Sequence, residues 1–202
     1  MSVEGVFRKN GNIRQLKLLA ESVDKLYDEV SPEQSIDETM NSLLANQSPI
    51  QLAALLKRYL RELPEPLLTF QFYKLFIHCG KMKDSKRLLH IACCLLPKPN
   101  RDTMLMIFCC LKWISSFSDT NKMDVCNLAR VIAPSVLYGK PRHNSNGSST
   151  TASSRHDSAA LTEEITVVEH LIRYGEELSV VSFGTRYYKR QRINELNRYH
   201  PT

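Results

Sequence analysis

The side chains best suited to do chemistry in this sequence are basic, and the first of them is Arg8 in the stretch "EGVFRKNG". Asn10 and Gly11 follow it, and both residue types are typical of turns because they tolerate unusual backbone dihedrals. A second basic pair, Lys57 and Arg61, is spaced four residues apart in a helix-like stretch, so both side chains lie on one helical edge. A guanidinium on a turn and two cations on a helix could together bind an anion.

Spacing alone leaves a second interpretation open. Lys57, Arg58 and Arg61 are also what the solvated face of an amphipathic helix carries, and Arg8 by itself could be an exposed turn arginine. Self-contained catalysis is not indicated, since no Ser, Cys or His stands in a nucleophile motif and no GxxxxGK[ST] phosphate loop is present. The six histidines are scattered without metal-ligand spacing, so no metal site is predicted.

Composition indicates an ordinary globular chain. Its 202 residues, 43% hydrophobic and 24% charged, favour one domain with a substantial core. The net charge of +6 suits an acidic partner surface, a phosphate-bearing ligand or an anionic membrane without choosing among them. The six cysteines include two adjacent pairs in apolar stretches, which we interpret as buried thiols in a reducing, cytosolic setting. With neither a secretory signal nor an apolar span, a soluble or peripheral protein is expected.

The elements that must position the basic residues are predicted to be helices. After Asn12, the predicted N-cap, apolar residues recur at three and four residue spacing and indicate a first helix. The stretch "SPIQLAALLKRYLRELPEPLL" indicates another helix, with Ser48 as its N-cap and its end at Pro64. Residues 31–47 are predicted to form a variable connection that can contain one short helix. Further helices are predicted after the caps Thr69, Asp84, Asn100 and Asp124, the last of them ended by Pro134, and over Leu161 to Leu178.

Strand-type alternation is nowhere sustained, so the predicted fold is all-α, a single-domain helical bundle over residues 1–178. Residues 139–160 are rich in Ser, Thr, Asn, His and Gly, with no aliphatic side chain larger than alanine, and are predicted to form a disordered, flexible loop before the last helix. Residues 179–202 contain five Lys or Arg against one Glu and are predicted to be a basic tail. Contact with an anionic membrane is expected of this tail, and nucleic-acid binding rests on its charge alone.

Three blocks of the sequence resemble the Rho GTPase-activating (RhoGAP) domain family. They are "EGVFRKNG", "LAALLKRYLRELPEPLLT", and "NRDTMLMIF" followed by "NKMDVCNLARVIAPSVL". The wording "FRKNGNIRQL" and "LLKRYLRELPEPLLTF" is most similar to fungal members that carry LIM domains, although these 202 residues hold no LIM-type cysteine cluster. The resemblance implies a RhoGAP-type bundle that binds a Rho-family small GTPase in its GTP-bound form and stimulates GTP hydrolysis. The chain would be an activator rather than an enzyme, without a cofactor of its own, since GTP and Mg²⁺ belong to the partner.

The resemblance also implies roles for individual residues. Arg8 falls on the family's catalytic finger, an arginine supplied in trans that stabilises the charge developing on the γ-phosphoryl group. Lys57 and Arg61 match residues that contact the GTPase and support the finger loop. Asn127 matches an asparagine of the family's GTPase-binding surface, and it could equally satisfy buried backbone groups. Ser135 stands where an asparagine is typical, and its shorter side chain implies a weaker or water-mediated contact.

Family members carry a helix and an extended segment before the E-G-hydrophobic-F-R block, whereas three residues precede Glu4 here. We therefore expect an N-terminally truncated domain, an Arg8 turn without its N-terminal anchor, and an apolar face left uncovered. For these reasons, and because of Ser135, a catalytically weak GTPase-binding or scaffold module is the alternative function. The expected location is the cytoplasm, with recruitment to the cell cortex.

Overall fold

The computed structural model describes residues 3–29, 36–140 and 152–178, and every regular element within these ranges is a helix. The predicted all-α fold is confirmed, and the predicted basic tail lies outside the described residues. The helices are α1 (Ile13–Glu29), α2 (Ile36–Ala45), α3 (Pro49–Glu62), α4 (Tyr73–Lys81), α5 (Ser85–Leu95), α6 (Lys98–Ser115), α7 (Ser118–Asn121), α8 (Val125–Val136) and α9 (Ala152–Leu178).

Side-chain caps define where three of the helices begin. Oδ1 of Asn12 accepts hydrogen bonds from the amides two and three residues on, at 3.0 and 3.1 Å. Ser48 caps α3 by accepting from the amide of Gln51, and Asp124 caps α8 by accepting from the amide of Asn127. These bonds satisfy backbone donors that the first turn of a helix leaves unpaired. The three N-cap predictions are confirmed.

Other N-cap predictions are wrong or only half right. Asn100 does not begin α6, which starts at Lys98, because its amide group donates instead to the carbonyl oxygen of Leu67 at 3.0 Å. Thr69 has φ +61° and lies in the turn that precedes α4. Asp84 occupies the N-cap position of α5 but makes no side-chain capping bond. The Thr69 hydroxyl accepts from the amide of Phe72 at 3.4 Å, so only Asn100 has a partner in a different element.

Two helices extend beyond their predicted ends. Pro134 does not end α8, which continues to Val136, because burial of Val136 and Leu137 outweighs the hydrogen bond that the proline removes. The last helix begins at Ala152, so the final nine residues of the predicted 139–160 loop are helical. Once the buried residues of α9 have nucleated the helix, each further polar residue adds a backbone hydrogen bond, so extending the helix costs little free energy. Residues 141–151 of that loop lie outside the described residues.

The core lies where α6, α8 and α9 meet, and α3, α4 and α5 pack around this centre. Phe108 of α6, Ile132 of α8 and Leu171 of α9 are fully buried there. Gly175 allows α9 to approach α6 closely, since a Cβ at this position would lie 3.3 Å from the backbone carbonyl carbon of Phe108. This bundle is the rigid frame against which the N-terminal residues pack.

The surface of α5 and α6 retains apolar side chains. Ile91 and Leu95 on α5 are more than half exposed, and so is Met106 on α6. No helix of the described ranges combines the length and apolarity that crossing a bilayer requires.

The prediction that the adjacent cysteine pairs are buried is only half right, because one member of each pair is exposed. Cys93 is buried whereas Cys94 is exposed, and in the second pair Cys109 is half-buried whereas Cys110 is exposed. Successive helical residues point about 100° apart, so only one of two neighbours can face the core.

A buried polar contact connects α4 to α9. The hydroxyl of Tyr73 donates to Oε1 of Glu164 at 2.9 Å, and Glu164 is 8% exposed. Burial raises the pKa of the Glu164 carboxyl, against the opposing effect of the Tyr73 bond. Burial also raises the pKa of Tyr73 to about 12, so this hydroxyl keeps its proton at neutral pH. The fold therefore favours the neutral form of Glu164.

We expect the stability of Glu164→Gln, relative to the parent protein, to increase between pH 4 and pH 7. The amide oxygen keeps the Tyr73 hydrogen bond and cannot ionise. Because folding raises the pKa of the parent carboxyl, the folded parent binds more protons than the unfolded chain, and its stability falls as pH rises through the folded pKa. Urea denaturation at both pH values measures the difference. Glu62→Gln, which removes a surface ion pair with Arg58, should show no such gain.

Candidate functional site: the Arg8 loop and its support

Residues 4–12, which we call the Arg8 loop, place a buried aromatic beside an exposed arginine. Val6 and Phe7 are 2% and 3% exposed, whereas the Arg8 side chain is 53% exposed. Phe7 has φ +71°, a left-handed conformation that is uncommon for a bulky residue and persists only where surrounding contacts impose it. The loop therefore needs anchors, and three buried polar side chains participate in them.

The Arg8 guanidinium is held weakly by its own chain. In the described part of the molecule its Nη2 lies 3.5 Å from Oε1 of Glu4, and both side chains are about half exposed. Exposed ion pairs of this kind contribute about 0–1 kcal/mol. A stronger anion presented by a partner could therefore displace Glu4.

The front of the loop is anchored to the end of α7. The amide of Gly5 donates to the carbonyl oxygen of Asn121 at 2.8 Å. Asn121 is itself fully buried, where its side chain donates to the carbonyl of Ile114 and accepts from the amide of Met123, each at 2.8 Å. The expectation of a turn without an N-terminal anchor is therefore wrong, since the anchor comes from a residue more than a hundred positions away.

The middle of the loop rests on Lys57 of α3. Its Nζ donates to the carbonyl oxygen of Phe7 at 2.5 Å, and the residue is 8% exposed. The solvated-face interpretation of Lys57 is therefore wrong. Burial, and secondarily the charge of Arg61, lower the pKa of Lys57. A buried ammonium needs hydrogen-bond acceptors, and the Phe7 carbonyl supplies one.

The back of the loop is held by Gln51, also on α3. Its Oε1 accepts from the amide of Asn12 at 3.0 Å, and its Nε2 donates to the carbonyl oxygen of Asn12 at 3.1 Å. Gln51 is 4% exposed. Sequence reasoning missed Gln51 and Asn121 as parts of the site, because helical periodicity counts apolar residues and passes over buried amides.

The residues that α3 buries differ in part from those that its apolar spacing indicates. The apolar pattern predicts Tyr59 on the buried side, whereas Tyr59 is 55% exposed and the alanines Ala53 and Ala54 are buried. The small side chain of Ala54 lies between Gln51 and Lys57 in the sequence and allows the loop to approach the helix. Gln51 and Lys57 form a buried polar pair on this helix, and the spacing of apolar residues does not reveal such a pair.

The other predicted residues lie in different surroundings. Arg61 is exposed and its Nε donates to the carbonyl oxygen of Lys57 at 3.1 Å, so it borders the loop support. Asn127 is half-buried and its Nδ2 donates to the carbonyl of Lys122 at 3.3 Å, in keeping with the alternative that it satisfies backbone groups. Ser135 is 2% exposed, so its hydroxyl does not lie on the surface. Partner contacts by these residues stay predictions. No group of His, Cys, Asp or Glu suited to a metal ion occurs in the described ranges.

We expect Lys57→Met to lower the free energy of unfolding by about 1–3 kcal/mol, the usual cost of leaving a buried backbone acceptor unpaired. Methionine keeps the apolar stem but removes the donor to Phe7. Arg58→Met is the matched control, since Arg58 makes a surface pair with Glu62 that contributes about 0.3–0.5 kcal/mol. Urea denaturation of both variants checks the difference, and equal effects would contradict the anchoring role of Lys57.

Curated proteins with similar sequences are much longer than this chain. Rho-type GTPase-activating protein 1 of Schizosaccharomyces pombe is 50% identical over 148 residues, 69% of this chain and 12% of that protein. Rho-GTPase-activating protein LRG1 of Saccharomyces cerevisiae is 35% identical over 216 residues, 98% of this chain and 20% of that protein. The chain thus spans a fifth or less of the length of these two relatives.

A solved structure shows the same fold. The crystal structure of human Rho GTPase activating protein 15 superposes with a TM-score of 0.66 at 23% identity, covering 88% of this chain and 75% of that one. Residues 1–141 match the RhoGAP domain family, and this match contains the Arg8 loop, α3 and the end of α7. The chain therefore belongs to the RhoGAP domain family.

Proposed function

We propose that this chain stimulates GTP hydrolysis by a Rho-family small GTPase and that Arg8 is the arginine supplied in trans. The observation that supports this most is the combination of a half-exposed, weakly held guanidinium with a backbone anchored at Gly5, Phe7 and Asn12. Membership of the RhoGAP family and the names of the fungal relatives point to the same function.

The chemistry requires such a group. As the γ-phosphoryl is transferred, negative charge develops on its oxygens and on the leaving group, and a guanidinium is always ionised and can contact two oxygens at once. An arginine supplied in trans accelerates hydrolysis by about 10³ to 10⁵-fold, or about 4 to 7 kcal/mol of barrier. This benefit depends on placement, and the three backbone anchors of the loop support the proposal in this respect.

The proposed partner is the GTPase in its GTP-bound form, and GTP and Mg²⁺ belong to that partner. The chain then acts as an activator that contributes a catalytic arginine without a cofactor of its own. A cytoplasmic location, recruitment to the cell cortex and a membrane contact through residues 179–202 stay predictions.

A GTPase-binding module with weak activation is the second candidate function. One of its grounds, an unanchored Arg8 loop, is removed by the bonds at Gly5 and Phe7. The other remains, because Ser135 is buried and does not offer a partner the amide that the family places there.

Replacing Arg8 by alanine should slow GTP hydrolysis at saturating activator by about 10³-fold or more, with the dissociation constant for the GTP-loaded GTPase largely unchanged. The contact strengthens in the transition state, so its loss affects the chemical step rather than binding. Arg8→Lys should recover little, since an ammonium lacks the forked geometry. Phosphate release from GTP-loaded Rho-type GTPases measures the rate.

The control for Arg8 is Arg87→Ala, which removes an exposed arginine from α5, an element distant in sequence from the Arg8 loop. It should leave the stimulated rate unchanged. Binding without acceleration by the unmodified protein would favour the scaffold function. An Arg8→Ala variant as active as the parent would exclude the arginine finger.

Arg61→Ala should weaken the complex and reduce the dependence of its affinity on salt. The Arg61 guanidinium is exposed beside the loop support, where it can attract an acidic partner surface. Titration of the GTP-loaded GTPase at low and high ionic strength measures both effects. Arg87→Ala again serves as the matched control, and an Arg61→Ala complex with the parent's affinity at low salt would contradict the contact.

A further inference from the structure

We propose that Gln51 is a positioning residue for Arg8, whose carboxamide clamps the C-terminal end of the Arg8 loop to α3. This inference rests on the proposed function, because it concerns how the arginine is held for a partner's active site. Gln51 does not touch the reacting atoms and acts through Asn12 and the loop backbone.

The clamp pairs one side chain with both backbone groups of a single residue. The amide of Asn12 donates to Oε1 of Gln51 at 3.0 Å, and Nε2 of Gln51 donates to the carbonyl of Asn12 at 3.1 Å. A primary carboxamide offers a donor and an acceptor side by side without a change of protonation. At 4% exposure, water has little access to replace either bond.

Gly11 makes room for the clamp. A Cβ built at Gly11 would lie 2.5 Å from Oε1 of Gln51 and 3.2 Å from Cβ of Ala54. A free glutamine could swing away from such a methyl group, but this Oε1 is held by the amide of Asn12. An alanine at position 11 would therefore have to break the clamp or move the loop.

Two residues of one helix thus hold the two sides of Arg8. Gln51 and Lys57 are six residues apart on α3, or about 9 Å along the helix axis. Lys57 holds the carbonyl of Phe7, directly before Arg8, and Gln51 holds Asn12, four residues after it. The helix therefore fixes both ends of the segment from Arg8 to Gly11.

An alternative role for Gln51 is to pack α1 against α3 without influence on Arg8. The two roles differ in energetic coupling. A positioning residue loses its effect on the rate once Arg8 is absent, whereas a packing residue affects stability and activity whether Arg8 is present or not.

The first test measures single-turnover GTP hydrolysis on a Rho-type GTPase at saturating activator. Gln51→Met keeps the side-chain length and removes both hydrogen bonds, and it should slow the stimulated rate by about 10- to 100-fold through misplacement of Arg8. The dissociation constant should change much less. In the Arg8→Ala background, Gln51→Met should cause no further loss of rate.

Two matched variants accompany this test. Gly11→Ala should reproduce the loss of rate, because it disrupts the same clamp from the other side. Gln71→Met, at an exposed glutamine before α4, should leave the rate at the parent's value. An undiminished rate in Gln51→Met, or an equal loss with and without Arg8, would overturn the positioning role.

The second test needs no GTPase and separates failure of this inference from failure of the proposed function. Hydrogen exchange at the Asn12 amide, and across residues 8–12, should accelerate in Gln51→Met and stay unchanged in Gln71→Met. Unchanged exchange in Gln51→Met would overturn the clamp even if the parent activates a GTPase. Faster exchange together with a parent that activates no GTPase would support the clamp as a loop anchor and overturn its role in catalysis.

Discussion

The hydrogen bond from the buried Lys57 ammonium to the Phe7 carbonyl is the contact on which the candidate site depends. A charge removed from water is costly unless it finds acceptors, so Lys57 strongly favours the loop conformation that presents this carbonyl. That conformation includes the left-handed backbone at Phe7, with its ring in the core. Arg8 is the next residue and is thereby directed to the surface.

The rest of the fold gives this contact its rigidity. Helices α6, α8 and α9 form the core, and α3 packs against α8 and places Ala54 beside Gly11 of the loop. The end of α7 contributes Asn121, which is fully buried and whose side chain both donates and accepts a hydrogen bond, so the carbonyl that receives the Gly5 amide cannot shift easily. The stable bundle holds the loop backbone, and the guanidinium retains the freedom to meet a partner.

Much of the helical architecture was predictable, because it follows from local chemistry. Asn12, Ser48 and Asp124 cap helices as their sequence positions indicate, and Pro64 follows α3. Predictions failed where packing competed with local preference. Asn100 donates to Leu67 rather than capping α6, and α8 continues past its proline because its last residues are buried. The resemblance of sequence blocks identified the candidate arginine, Arg8. It did not identify Gln51 and Asn121, which anchor the Arg8 loop.

The sequence by itself determined the all-α fold, three of the N-caps and an arginine on a turn, since each depends on residues near one another in the chain. Only the tertiary structure decided which polar groups are buried. Lys57 is an internal support rather than a surface cation, and Ser135 is internal as well. Gln51 and Asn121 join the site because the fold brings them to backbone groups 39 and 116 residues away. Such distant pairings depend on how helices pack, and local periodicity does not encode them.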